Sequence, residues 1–187
     1  MFETSDFRKG LKLEIDGYPY LMTDCEFVKP GKGQAFVRTR LRNLMTGQTL
    51  DRTFKSGERV DEAELEEMKM QYLYPEGNDY NFMNIKTYDQ VAVPKEQLGD
   101  SWQWLLENME VVVLFYKGKA ISVETPTFVE LQITECEPGV RGDTRNNVNK
   151  PALLSTGAKV PVPLFVEQGE WIKVDTRTGE YIERVKK

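Results

Sequence analysis

Apolar and polar residues alternate with period two along most of this chain, and that spacing predicts strands rather than helices. Leu11-Lys12-Leu13-Glu14-Ile15 alternates cleanly. Asp16-Gly17 follows as a type I′ hairpin signal, and Tyr18–Phe27 returns as the next strand. Beyond a short loop, Ala35, Val37, Thr39 and Leu41 fall on one face of a strand, with Phe36, Arg38, Arg40 and Arg42 on the other. Thr46-Gly47 turns the chain into Thr49–Phe54, and Lys55-Ser56-Gly57-Glu58 ends the unit. Residues 1–63 thus read as one small, strongly bent sheet of about five strands.

The next stretch is less uniform. Glu62–Met68 favours helix by propensity, but alternation takes over from Met68 and predicts a strand to Tyr74. A turn at Pro75–Asp79 leads to strands Tyr80–Asn84 and Gln90–Val93. Pro94 suits the first turn of a short helix through Leu98. Ser101–Asn108 places Trp102, Leu105 and Leu106 on one helical face. Val111–Tyr116 and Ala120–Val123 form a hairpin about Lys117-Gly118-Lys119. Strands around one short helix suggest a small barrel of the OB type. After Glu124–Thr127 a third unit of similar strand density begins, with strands Phe128–Thr134, Ala158–Val162, Trp171–Val174 and Tyr181–Val185. The expected domains are 1–63, 64–126 and 127–187.

Chemistry concentrates in the loop Val28-Lys29-Pro30-Gly31-Lys32-Gly33-Gln34. Pro30 cannot extend a ladder, and Gly31 and Gly33 permit a tight path, so Lys32 stands at a glycine-bracketed apex. The residues alone leave two readings: a tip built to present an ammonium, or an ordinary surface turn. Charge is unevenly spread. Residues 29–55 hold seven cations and one anion, whereas residues 64–128 hold five cations and eleven anions. Three arginines on one strand face repel one another unless that face meets anions or scattered acids. Such a face can bind phosphate even though the net charge is −5. The polar stretch Arg141–Pro151, with cations Arg141, Arg145 and Lys150, fits either a phosphate contact or a solvated linker.

Several classes drop out. The chain of 187 residues contains no histidine, which removes the commonest general base and metal ligand. It shows no glycine-rich nucleotide motif and no spaced carboxylate signature, so no catalytic residue, metal site or cofactor is expected. Cys25 and Cys136 are expected as buried, reduced thiols in a cytoplasmic protein. No secretory signal and no membrane span is expected.

The ordered set of motifs resembles bacterial elongation factor P over essentially the whole length. It comprises Lys29–Phe36 with Leu41-Arg42-Asn43-Leu44, Thr53–Ser56, Pro126–Leu131, Pro138–Thr144, Lys150-Pro151-Ala152, Ser155–Ala158, Gly169-Glu170 and Val174–Tyr181. The resemblance implies an all-β, L-shaped protein with an N-terminal SH3-like (KOW-type) barrel followed by two OB-fold barrels. It implies a monomeric, non-enzymatic translation factor that binds both ribosomal subunits between the P and E sites, contacts P-site peptidyl-tRNA and ribosomal RNA, and promotes peptide-bond formation at consecutive prolines. The family's tip lysine, often lysylated or carrying a hydroxylated or aminopentanol group added by a lysine-modifying enzyme, falls on Lys32, with Lys29, Pro30, Gly31 and Gly33 shaping the loop. Arg38, Arg40, Arg42, Gly142, Asp143, Thr144, Arg145 and Lys150 become the RNA-contacting candidates. The third unit distinguishes the bacterial form from archaeal and eukaryotic initiation factor 5A. The sequence departs from the usual pattern at Arg145-Asn146, at Leu153-Leu154 and in the proline-rich Val160–Pro163.

Overall fold

A computed structural model describes residues 1–139 and 149–187. The protein is built mostly from strands, gathered into two compact units: Met1–Met68 with Val113–Ser122, and Lys69–Val112 with Val123–Lys187.

The first sheet contains β1 (Phe2–Glu3), β2 (Lys12–Ile15), β3 (Tyr18–Val28), β4 (Phe36–Asn43), β5 (Thr49–Lys55) and β6 (Arg59–Glu62), ordered β1-β6-β2-β3-β4-β5. It has one strand more than expected, since the two-residue β1 is too short to show alternation. Its inward faces bury Phe7, Leu13, Met22, Val37, Leu41 and Phe54, and the Phe7 and Phe54 rings meet edge to face at 5.1 Å. Thr39, which shares the inward row of β4 with a second buried polar residue, Asn43, is satisfied because its hydroxyl donates to the Arg52 carbonyl at 2.7 Å. Asp16 and Gly17 take φ of 52° and 80°, the type I′ geometry expected between β2 and β3.

The second sheet contains β7 (Leu65–Glu76), β8 (Asp79–Asn84), β9 (Gln90–Pro94), β10 (Glu110–Tyr116) and β11 (Lys119–Glu124), ordered β11-β10-β7-β8-β9. Helix propensity at Glu62–Met68 is overridden by ladder pairing, and Pro75 and Glu76 belong to β7, paired with Tyr80 and Asp79. The short helix α1 (Lys95–Leu98) forms where Pro94 predicts it. The expected helix over Ser101–Asn108 does not form. A 3-10 helix ends at Trp104, and Trp104, not Trp102, is the buried indole.

The third sheet contains β12 (Phe128–Cys136), β13 (Asn149–Leu154), β14 (Lys159–Pro163), β15 (Trp171–Asp175) and β16 (Glu180–Val185), ordered β14-β13-β12-β15-β16. Strand β13 has no counterpart in the sequence reading. Pro151 pairs with Pro161, and two residues on Asn149 pairs with Pro163. In an antiparallel ladder alternate pairs exchange no hydrogen bonds, so all three prolines occupy positions that need no N–H. The intervening Val160 and Val162 point into a core with Leu131, Ile133, Leu154 and Ile172, and Trp104 inserts into the same core. The Thr156 hydroxyl donates to the Gln103 carbonyl, fastening the 3-10 segment there. Cys25 and Cys136 are free but half-buried, less enclosed than expected.

Candidate nucleic-acid interface

The strand pair β3–β4 runs from Tyr20 opposite Asn43 to Val28 opposite Phe36, and the loop between them carries Lys32. The ladder with β5 ends at Phe36 opposite Lys55, where the Ser56 N–H donates to the Ala35 carbonyl at 3.0 Å. Beyond that point the loop stands without sheet support. Gly33 has φ of 116°, a conformation strained for any residue with a Cβ, while Gly31 does not use its left-handed freedom. A Cβ at Gly33 would lie 3.7 Å from Pro30 Cγ, so the half-buried Pro30 ring packs beneath the loop. Lys29 and Lys32 are exposed, and neither makes an ion pair, side-chain hydrogen bond or ring contact among the described residues. Below the loop lies a groove of about 450 Å³ walled by Phe27, Val28, Ala35 and Phe36, with Phe27 58% exposed.

Arg38, Arg40 and Arg42 do share the outward face of β4. They are not a bare cationic row. Cross-strand register sets Glu26 opposite Arg38, and both Asp24 and Asp51 opposite Arg40. Arg40 Nε donates to Asp51 Oδ1 at 3.0 Å. That hydrogen bond, with the charge behind it, holds the Asp51 carboxyl below its ordinary range and raises the Arg40 guanidinium. Asp24 is bound by Lys9 at 3.2 Å. Arg38 lies over the Phe36 ring at 5.5 Å, and Arg42 faces Leu21 and Thr49 across the ladder. The face can therefore meet phosphate through Arg38 and Arg42, with Arg40 held in place by a carboxylate. The sequence reading missed Asp24, Glu26 and Asp51 as partners. Alternation does put Asp51 on the outward face of β5, but Asp24 and Glu26 share parity with the buried Tyr20 and Met22, and only the bulge between Met22 and Asp24 turns them outward beside the arginines.

The third-unit candidates are placed differently. Gly142, Asp143, Thr144 and Arg145 lie outside the described residues. Lys150 is buried on the inward row of β13 with Ala152 and Leu154, and its Nζ donates to the Glu137 carbonyl at 2.6 Å. Its charge is turned inward rather than toward an RNA surface. Tyr181 packs against the third core, and Arg184 pairs with Glu170 at 3.2 Å while covering the Phe165 ring at 4.9 Å.

Comparison with known proteins bears on the family and the fold. Family models described as the elongation factor P KOW-like domain, the elongation factor P OB domain and elongation factor P, C-terminal match residues 3–60, 65–123 and 129–184. Elongation factor P of Pelotomaculum thermopropionicum is 50% identical over 185 residues, covering 99% of this chain and 100% of the relative. That of Caldanaerobacter subterraneus is 52% identical over 185 residues, with the same coverage. Among solved structures, translation initiation factor 5A from Methanococcus jannaschii matches with a TM-score of 0.53 at 23% identity, covering 65% of this chain and 94% of that one. An initiation factor 5A family protein from Naegleria fowleri gives 0.51 at 15% identity, covering 65% and 93%, and both likenesses bear on the fold alone. The KOW-like and OB-domain architecture is shared with these proteins, and the chain belongs to the elongation factor P family of translation elongation factors.

Proposed function

We propose that this elongation factor acts on the ribosome between the P and E sites, where the β3–β4 loop brings Lys32 toward the acceptor end of peptidyl-tRNA and speeds peptide-bond formation at consecutive prolines. The observation that carries this reading is the free, exposed Lys32 at the end of a strand pair, beyond the last sheet hydrogen bonds. Proline is a poor nucleophile and a constrained donor, and holding reactants in register can remove several kcal/mol of a barrier, up to about 7–11 in the best cases. The peptide-transfer chemistry stays with the ribosome. Pro30 and Gly33 shape the loop, Lys32 supplies reach and charge, and a lysine-modifying enzyme that extends Lys32 lengthens both. Lys29, Arg38 and Arg42 supply phosphate contacts, with salt dependence as their signature. The polar stretch of residues 141–148, read from the sequence, is the proposed contact of the third unit with the small subunit.

A general single-strand binder would need open aromatic faces. On the third sheet Lys173 and Lys187 lie over the Phe128 and Trp171 rings at 5.1 Å and 4.4 Å, and those lysines pair with Glu183 and Glu130. The test is Lys32→Ala in a triproline reporter against a proline-free control. Selective loss on triproline is expected. Equal loss on both, or none on either, would refute a positioning role. The intact mass of the native protein, localised to Lys32, reports the modification.

A further inference from the structure

Two hairpin turns in the first compact unit meet through side chains that the proposed function does not use. Asp16-Gly17 joins β2 to β3, and Lys117-Gly118 joins β10 to β11 within the segment Val113–Ser122. Lys117 and Gly118 take φ of 49° and 80°, again type I′. Lysine is an uncommon choice at that position. Holding a side chain in the left-handed region is strained, a cost that glycine avoids and asparagine reduces.

The reason for a lysine lies across the contact. Lys117 Nζ sits 3.3 Å from Glu14 Oε1, and the Tyr116 hydroxyl lies 2.7 Å from Glu14 Oε2 and 3.1 Å from the Gly17 carbonyl. Both oxygens of one carboxylate are thus engaged, one by each partner. Tyr116 is 6% exposed, so its hydroxyl needs such a partner. The ammonium also lies 5.1 Å from the Tyr116 ring centre. The Tyr116 hydrogen bond outweighs the effect of partial desolvation and, with Lys117, keeps Glu14 below the ordinary carboxylate range. Asp61, Glu62 and Glu64 line the same cleft, so a cation here also offsets mutual repulsion.

We propose that Glu14, Tyr116 and Lys117 are positioning residues. They lock the Val113–Ser122 hairpin to the β2–β3 turn, and the lock fixes the sheet that presents Lys32. The second half of this statement rests on the proposed role of Lys32; the first half does not.

The experiment separates the two. Spin labels are placed at Thr49→Cys and Lys119→Cys in a chain carrying Cys25→Ser and Cys136→Ser. The labelled pair is compared with and without Tyr116→Phe, Lys117→Asn, and the exchange Glu14→Lys with Lys117→Glu. Tyr116→Phe and Lys117→Asn should broaden the distance distribution, and the exchange should narrow it relative to Glu14→Lys alone. Unchanged widths in all variants would overturn the lock. In parallel, Tyr116→Phe should slow triproline synthesis at saturating factor by roughly threefold or more without weakening ribosome affinity, as misplacement of a positioning group does. Broadening without slower synthesis, in an assay where Lys32→Ala is defective, would overturn the aiming role alone. If Lys32→Ala is not defective, the function reading fails and the distance result still decides the lock.

Discussion

Replacing Trp104 by alanine tests how the second compact unit is held together. Trp104 ends the 3-10 helix Gly99–Trp104 and is 5% exposed, buried with Val129, Leu131, Val162 and Ile172. A Cβ placed on Gly179 would lie 3.8 Å from Trp104 Cζ2, so the indole also packs on the β15–β16 turn. An indole buries roughly 200 Å². At about 25 cal/mol per Å² that is about 5 kcal/mol, an upper figure because the unfolded chain already hides part of the ring. Truncating a buried tryptophan costs about 3–5 kcal/mol once the cavity is included. Urea unfolding followed by far-UV circular dichroism measures the loss; with a slope near 2 kcal/mol/M the midpoint should fall by about 2 M. Trp102→Ala is the control. Trp102 is half-buried against Gly157, and its ring is covered by Lys95 at 4.0 Å, so its loss should cost only about 1–2 kcal/mol. The helical face read from the sequence gives the opposite ranking. A loss below about 1 kcal/mol for Trp104→Ala would refute the reasoning, since that is a surface-sized effect. So would an equal loss for the two variants.

Two further outcomes follow from the charged groups. Asp51→Asn should release Arg40 to phosphate, steepening the log–log salt dependence of ribosome binding by roughly 0.7, and Arg42→Ala should flatten it by a similar amount; an unaltered slope in Asp51→Asn would show that Arg40 does not face phosphate. In the β15–β16 turn, Asp175 accepts from the Arg177 guanidinium at 2.9 Å and from the Arg177 N–H at 2.9 Å, and these bonds hold its carboxyl below the usual 3.8. A lowered folded value means the stabilisation is complete above the unfolded value and disappears as pH falls through the folded one. Thermal melts of the parent should therefore lose stability below about pH 4 more steeply than Asp175→Asn. Parallel curves would exclude this contribution.

Local order was legible in the residues because it depends on chain neighbours. Alternation gives the facing of β4, Asp16-Gly17 gives its turn type, Pro94 gives α1, and the proline-glycine setting of Lys32 gives an exposed loop. The resemblance to the family was also contained in the sequence, since it rests on ordered motifs. The rest was decided by pairing register and by contacts between residues distant in the chain. Pro151 closes a polar stretch in the sequence and becomes a strand residue because Pro161 stands opposite it at a position that needs no hydrogen bond. Lys150 reads as a surface cation until the inward row of β13 turns its ammonium onto the Glu137 carbonyl. The arginines of β4 read as a positive row until β3 and β5 bring Asp24, Glu26 and Asp51 beside them. Trp104 and Tyr116 find their partners tens of residues away. Periodicity records which side of a strand a residue occupies. The three-dimensional packing of strands determines what waits on that side, and that neighbour settles whether a charge is free, paired or buried.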